Sequence, residues 1–253
     1  MSKHKKNLKL NTLFEDENLI AVDKPSQLLV VPDRWDQTKP SATSILQNRY
    51  PNEKMFIVHR PGKDTSGIVL FARNAAAHKH LNQQMEQRQL TKIYYAIVKG
   101  EVREDGTIEL AIDTNRSRKG RVAIHRKGKE AITDYQVLER FQGFSYLRII
   151  PRTTRIHQVR VHLQAIGHPL AIDPLYGENE PVYLSKLKRN YRFKPDQPER
   201  PLINRLPLHV AEILFNHPFT NQQVKITAEL PRDMRVLLNV LAKYRVFSKR
   251  IME

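Results

Sequence analysis

The sequence predicts an α+β fold. Apolar runs of four to eight residues, each closed by Gly, Pro or polar turn residues, outnumber the stretches with helical period. The few helical stretches do not alternate regularly with the strands, so a βαβ series is not indicated. The chain has 253 residues of which 40% are hydrophobic, enough for a sizeable core.

The elements follow in order. Residues 1–10 read as a disordered basic arm, Met1-Ser2-Lys3-His4-Lys5-Lys6-Asn7 at its start, and residues 11–253 as one domain. Residues 18–25 form a strand ending at Lys24-Pro25. Leu28 to Val31 is a second apolar run, stopped by Pro32. Residues 41–50 are helical, with Ser41 as N-cap. Residues 55–60 and 68–72 are strands, so the segment from Gly62 to Ser66 joins two strands, a suitable place for a site. Residues 74–89 are a helix capped by Asn74, with Ala77, Leu81 and Met85 recurring every four residues. Residues 92–98, 131–138 and 144–150 are strands. Residues 113–129 are a basic hairpin or loop. Residues 155–166 are a helix whose stripe of Ile156, Val159, Leu163 and Ile166 faces the core and which stops at Gly167 and Pro169. Residues 178–207, rich in Pro, Lys, Arg and Tyr and poor in periodicity, read as a surface insertion. Strands at 208–215 and 224–228 and a helix at 232–244 close the chain.

Charge narrows the partners. There are 43 Lys plus Arg against 26 Asp plus Glu, a formal net charge of +17. Such a field attracts polyanions and releases their counterions, so nucleic acid is the leading partner and an acidic membrane surface the second. There are no cysteines, which excludes disulfides and thiolate metal sites. His157 and His162 are five residues apart and would not share a helix face as ligands, so no metal is expected. No apolar run is long enough for a membrane span and no signal peptide is evident, so the expectation is a cytoplasmic monomer. Neither a Walker nor a dinucleotide-binding pattern is present, and no cofactor is expected.

Two stretches carry candidate chemistry. The first is His59-Arg60-Pro61-Gly62-Lys63-Asp64-Thr65-Ser66-Gly67, a polar loop at a strand end. On local sequence alone, Asp64 or Thr65 could simply bond the turn backbone, and His59 could be a hydrogen-bonded core residue. The second is Arg155-Ile156-His157-Gln158-Val159-Arg160-Val161-His162-Leu163. Arg155 is expected at the N-terminal end of its helix, where the dipole already favours an anion, and Arg suits phosphate or carboxylate binding. The alternative is a surface Arg in a salt bridge.

Together these stretches resemble the RluA-type RNA pseudouridine synthases, whose first motif reads His-Arg-Leu-Asp-x-x-Thr-Ser-Gly. The resemblance runs from about Asn18 to about Pro231. Lys24-Pro25-Ser26 is similar to the early Lys-Pro-Ser-Gly, Lys92-Ile93-Tyr94 to Lys-x-Tyr, and Thr153-Thr154-Arg155-Ile156-His157-Gln158 to Thr-Gly-Arg-Thr-His-Gln. Gly167-His168-Pro169-Leu170, Asp173-Pro174-Leu175-Tyr176-Gly177, Leu208-His209-Val210 and Asn216-His217-Pro218-Phe219-Thr220 match later blocks. The departures are Gln27, Thr154, Ile156 and Ile172.

The resemblance implies a pseudouridine synthase fold, a mixed and mostly antiparallel sheet with flanking helices around an RNA-binding cleft. It implies a structured RNA partner, rRNA or tRNA, whose uridine is flipped out and isomerised without cofactor or metal. It assigns the nucleophile to the Asp position, the stacking Tyr to Tyr94 and the partner of the Asp to Arg155. The Asp position is Gly62, which has no side chain and cannot be a nucleophile. Asp64 is the nearest carboxylate, two residues on, roughly 6–7 Å along an extended chain. Catalytic geometry fails at roughly 1 Å of misplacement, so Asp64 serves as a surrogate only if Pro61 and Gly62 re-route the loop.

Two classes of function follow. One is an RNA uridine isomerase using Asp64, Tyr94 and Arg155. The other is a non-catalytic RNA-binding protein, an RNA chaperone or assembly factor, using the same cleft. His59, Arg60, Arg116, Arg118, Lys119, Arg121 and Arg160 are the candidate RNA contacts under both. A third reading is a different polyanionic partner. The stretch before Asn18 is shorter than the extra RNA-binding domain that many relatives carry, so target choice is expected to rest on the catalytic domain with the segments 113–129 and 178–207.

Overall fold

A computed structural model of the chain describes residues 10–118, 120–192 and 197–247. Residues 1–9 of the expected arm and Lys119 lie outside the described residues. Leu10 does not belong to an arm: it is 2% exposed and packs in a core with Ile20, Val22, Leu46 and Phe71. An apolar side chain beside the first strand gains more from burial than from solvent.

The elements in chain order are β1 (Asn11–Glu15), β2 (Leu19–Lys24), α1 (Ala42–Arg49), β3 (Phe56–Ile57), β4 (Ser66–Ala72), α2 (Ala75–Glu86), β5 (Thr91–Lys99), β6 (Gly106–Glu109) and β7 (Ile112–Arg118). They continue with β8 (Arg121–Ile124), β9 (Ile132–Phe141), β10 (Phe144–Pro151), α3 (Gln158–Ala165), α4 (Leu184–Leu187), β11 (Leu208–Asn216), β12 (Gln223–Thr227) and α5 (Arg232–Tyr244). The class is α+β, as the strand-rich pattern predicts. The chain divides into two compact units, residues 1–90 with 210–229, and residues 91–209 with 230–253.

In the first unit the strand order is β1-β2-β4-β11, with β12 on β11 and β3 on β4. β1 with β2, β2 with β4, β3 with β4 and β11 with β12 are antiparallel. β4 is buried along its whole length, as its unbroken apolar run requires. Ser41 caps α1 through a capping box with Ser44, and Asn74 caps α2 by accepting from the Ala77 amide at 2.8 Å. Gly67 is obligatory: its φ is +102°, and a β-carbon there would lie 2.2 Å from the Val210 carbonyl oxygen. The run 28–32 is not a strand in its own right; it forms the single parallel bridge Leu29–Ser41.

In the second unit the order is β5-β10-β9-β6, with β7 and β8 as a separate hairpin. β10 pairs antiparallel with β5 and with β9, and β6 antiparallel with β9. The segment 178–207 is not all surface. Val182, Leu187 and Ile203 are buried in a core with Ile97, Phe141 and the α5 residues Met234, Leu237 and Leu241. Its backbone is tied by the Val182–Ile203 bridge. The segment lacks a period because it buries isolated apolar residues from irregular backbone.

α3 begins later than its apolar period suggests. His157 takes a left-handed conformation, φ +53°, and the helix starts at Gln158. Ile156 is thereby turned out of the stripe and is 57% exposed, while Val159 and Leu163 remain buried.

Candidate functional site

The first motif folds as a turn leading into β4. The Thr65 amide donates to the Gly62 carbonyl at 3.1 Å. Beneath the turn, the fully buried Lys24 ammonium donates to the carbonyls of Pro25 (3.0 Å), Leu28 (2.9 Å) and Lys63 (3.0 Å). Three N–H groups thus meet three carbonyls, which is how an ammonium can be buried beside a turn. Ser26 Oγ donates to the Asp64 carbonyl at 2.7 Å. The early Lys-Pro-Ser stretch therefore holds this turn by its backbone, and none of these bonds involves a side chain at 62.

Gly62 is exposed, and a side chain begun there would meet only Thr65 Oγ1, at 3.6 Å. Position 62 is thus open and unstrained. Asp64 is half-buried and follows on the same turn. Arg60 is exposed, as an RNA contact requires, whereas His59 is 6% exposed and its Nε2 accepts from the Leu70 amide at 3.3 Å. His59 therefore pins β4, the bland reading of its sequence position, and it does not face RNA.

The other motif residues lie in the second unit. Tyr94 sits on β5, half-buried against the core of Ala96, Leu147 and Val159. Burial pushes its phenol up to about 12, so it stays protonated and is a hydrogen-bond donor at neutral pH rather than a base. On the same strand Lys92 is 5% exposed, donates to Thr154 Oγ1 at 2.7 Å, and is pushed down by burial to about 8. Thr154, one of the departures from the family pattern, supplies that acceptor.

Arg155 lies ahead of α3 rather than at its N-terminus, because His157 breaks the helical path. Its Nε donates to the Glu130 carbonyl at 2.9 Å, and its amide donates to Gln158 Oε1 at 3.0 Å. The helix dipole therefore does not reach its guanidinium in the expected way.

Gln158 and His162 are not site groups. Gln158 is buried, accepts also from Thr153 Oγ1, and donates to the Ile132 carbonyl and Thr133 Oγ1, each at 2.9 Å. His162 is fully buried between Thr133 Oγ1 (3.0 Å) and the Leu110 carbonyl (2.9 Å), and burial pushes its pKa down. Arg160, expected to contact RNA, is 7% exposed and bidentate to the fully buried Asp173, at 2.8 and 2.5 Å. Its Nε and Nη2 both donate to a carboxylate inside the fold, so it forms a structural ion pair.

Of the basic hairpin, Arg121 is exposed with its guanidinium 5.4 Å from the Tyr176 ring centre, and the Tyr176 hydroxyl accepts from the Val122 amide at 2.8 Å. Arg116 and Arg118 belong to β7. Among the described residues no group of three or more His, Cys, Asp or Glu could hold a metal ion, and no helix is long and apolar enough to cross a membrane.

With this arrangement in view, comparison with known proteins is decisive. Residues 18–165 match the family described as RNA pseudouridylate synthase. The chain belongs to the RNA pseudouridylate synthase family, and to its RluA type. It is 36% identical over 241 residues to ribosomal large subunit pseudouridine synthase D of Nitrosomonas europaea, covering 92% of this chain and 65% of that protein. It is 34% identical over 245 residues to the protein of the same name from Pseudomonas aeruginosa, covering 94% of this chain and 73% of that one. The chain thus spans about two thirds to three quarters of the length of these relatives. Among solved structures it is similar to human RNA pseudouridylate synthase domain containing 1, with a TM-score of 0.66 at 25% identity over 90% of this chain and 86% of that one. In this pseudouridylate synthase family member residue 62 of the first motif is glycine.

Lys24 and Lys92 enter the sequence pattern as motif matches, with no role attached to them. The available signal for Lys24 is a lysine closing a largely apolar strand, between the core residues Val22 and Leu28.

Proposed function

We propose that this chain binds structured RNA, rRNA or tRNA, through the family's motif regions and does not itself isomerise uridine: a non-catalytic RNA chaperone or assembly factor of the RluA type. It acts as a cytoplasmic monomer without cofactor or metal. The observation that carries this reading is Gly62, at the nucleophile position of an otherwise intact turn. Glycine offers no lone pair to the uracil ring or ribose. Support for RNA binding comes from the charge of +17, the exposed Arg60 and Arg121, and the ribosomal naming of the relatives. Tyr94 supports the same reading, since a protonated phenol on a half-buried ring can stack on and donate to a flipped base.

A second reading is an isomerase in which Asp64 is a surrogate nucleophile. It is favoured by the family match across residues 18–165 and by the half-buried place of Asp64 in the turn.

One experiment separates them. Pseudouridine is mapped in total RNA from cells lacking this protein and supplied with the natural chain, Asp64→Ala or Gly62→Asp. The expected outcome is no site dependent on the natural chain, and at least one site appearing with Gly62→Asp. A uridine modified by the natural chain and lost with Asp64→Ala would establish the second reading.

A further inference from the structure

The second unit carries a polar cavity outside the motif regions, between α4 with the turn that follows it and the C-terminal end of α5. Its volume is about 810 Å³, within the size range of ligand sites. Lys186, Lys188, Arg189 and Arg245 line it together with Tyr191 and Tyr244, and no carboxylate does. Only Lys186 is matched by an ion pair, with Glu180 at 2.6 Å, among the salt bridges of these four cations in the described residues.

Cations near the end of α5 could simply oppose the helix dipole. That account covers Arg245 but not Lys188 and Arg189, which come from a different segment. Lys188 Nζ lies 5.8 Å from the centre of the Tyr244 ring, so ring and cation already share one wall. Arg245 Nη2 donates to the Lys186 carbonyl at 2.5 Å, while its Nε is buried without a hydrogen-bond partner. The guanidinium is thus incompletely paired within the fold.

We infer that this cavity is a binding site for single-stranded RNA, taking one nucleotide with its phosphate on Lys188, Arg189 and Arg245 and its base against Tyr191 or Tyr244. The inference rests on the RNA-binding reading above. The pairing of cations with aromatic rings favours a nucleotide over an acidic peptide, since every base offers a face to stack while a peptide carboxylate leaves the rings unused. A free nucleotide has the same chemistry, but a strand adds neighbouring phosphates to a basic surface.

The test uses the full chain and a fluorescent single-stranded RNA decamer containing 4-thiouridine, followed by anisotropy across a salt series and by photocrosslinking with peptide mapping. Expected results are crosslinks in the peptides bearing Tyr191 or Tyr244, and at least tenfold weaker binding by Lys188→Gln/Arg189→Gln with a salt slope about 0.7 smaller in magnitude, the share of one phosphate on a single strand. Uridine monophosphate at millimolar concentration should displace little of the decamer; full displacement would assign the cavity to a free nucleotide and overturn the strand. Decamer binding with unchanged affinity in the double variant and crosslinks confined to other peptides would overturn the cavity while leaving RNA binding intact. Weaker binding without crosslinks there would reduce it to a general field effect and also overturn it. Failure of the natural chain to bind any RNA would overturn both readings.

Discussion

The Gly62–Thr65 turn and the Thr153–His162 segment belong to the same family pattern, yet they use their residues in opposite ways. The turn is held by its own backbone, the Lys63 and Asp64 carbonyls accepting from the Lys24 ammonium and the Ser26 hydroxyl, and position 62 is left open. The Thr153–His162 segment sinks Gln158, Arg160 and His162 into the fold, where each is fully engaged by partners. A motif therefore mixes residues that hold with residues that act. Exchange of an acting residue can leave the fold untouched, whereas exchange of a holding residue cannot.

The largest test of that contrast is Arg160→Met. It leaves Asp173 buried and uncompensated, and should cost about 3–5 kcal/mol in urea unfolding. The salt dependence of RNA binding should stay as it is, because Arg160 makes no outward contact. A stable variant with a shallower salt slope would return Arg160 to the RNA contacts. Lys24→Met comes next. Three carbonyls lose their donor, and stability should fall by about 3 kcal/mol. A loss under about 1 kcal/mol, on the same hydrogen-bond scale, would show that the turn holds itself.

Much of this division was legible in advance, for stated reasons. Ser41, Asn74 and the period of 232–244 announce their helices because caps and amphipathic spacing are local. The motif pattern announced the family, which the match over residues 18–165 shows. Burial of polar residues was not legible: Arg160 and His59 look like RNA contacts in a basic chain, and only their partners Asp173 and the Leu70 amide show otherwise. The helix start was misplaced for a different reason. Ile156 continues the apolar period, but the left-handed His157 breaks the path, and a hydropathy pattern carries no φ. α4 and the burial of Val182 and Ile203 were missed because isolated apolar residues in irregular backbone have no period.

Lys92 sharpens the comparison by pH. Its folded pKa, about 8, lies below the ordinary 10.5, so between these values the unfolded chain binds more protons. Stability from this group therefore rises as pH increases from about 8 to about 10, and is lost as pH falls through about 8. Relative to Lys92→Met, the natural chain should gain about 2 kcal/mol across that window, measured by urea unfolding at each pH. Ionisation of Tyr94 and Tyr146, both raised by burial, acts in both proteins and cancels in the difference. Parallel pH curves would mean that Lys92 reaches water.

The smallest stability effect is expected where the chemical effect is largest. Gly62→Asp places a side chain in open space, its first carbon 3.6 Å from Thr65 Oγ1 and on backbone outside the left-handed region. The turn bonds from Lys24, Ser26 and Thr65 do not involve that position. Thermal and urea unfolding should shift by less than about 0.5 kcal/mol, the range of surface substitutions, with a slight gain available from losing the freedom of glycine in the unfolded chain. A cost above about 2 kcal/mol would point to one of the few mechanisms of large destabilisation. It would mean that the turn has adapted to glycine, making Gly62 part of how this chain folds. A shift near zero would make position 62 a site whose occupant the fold does not specify, so that glycine there would be a matter of function alone.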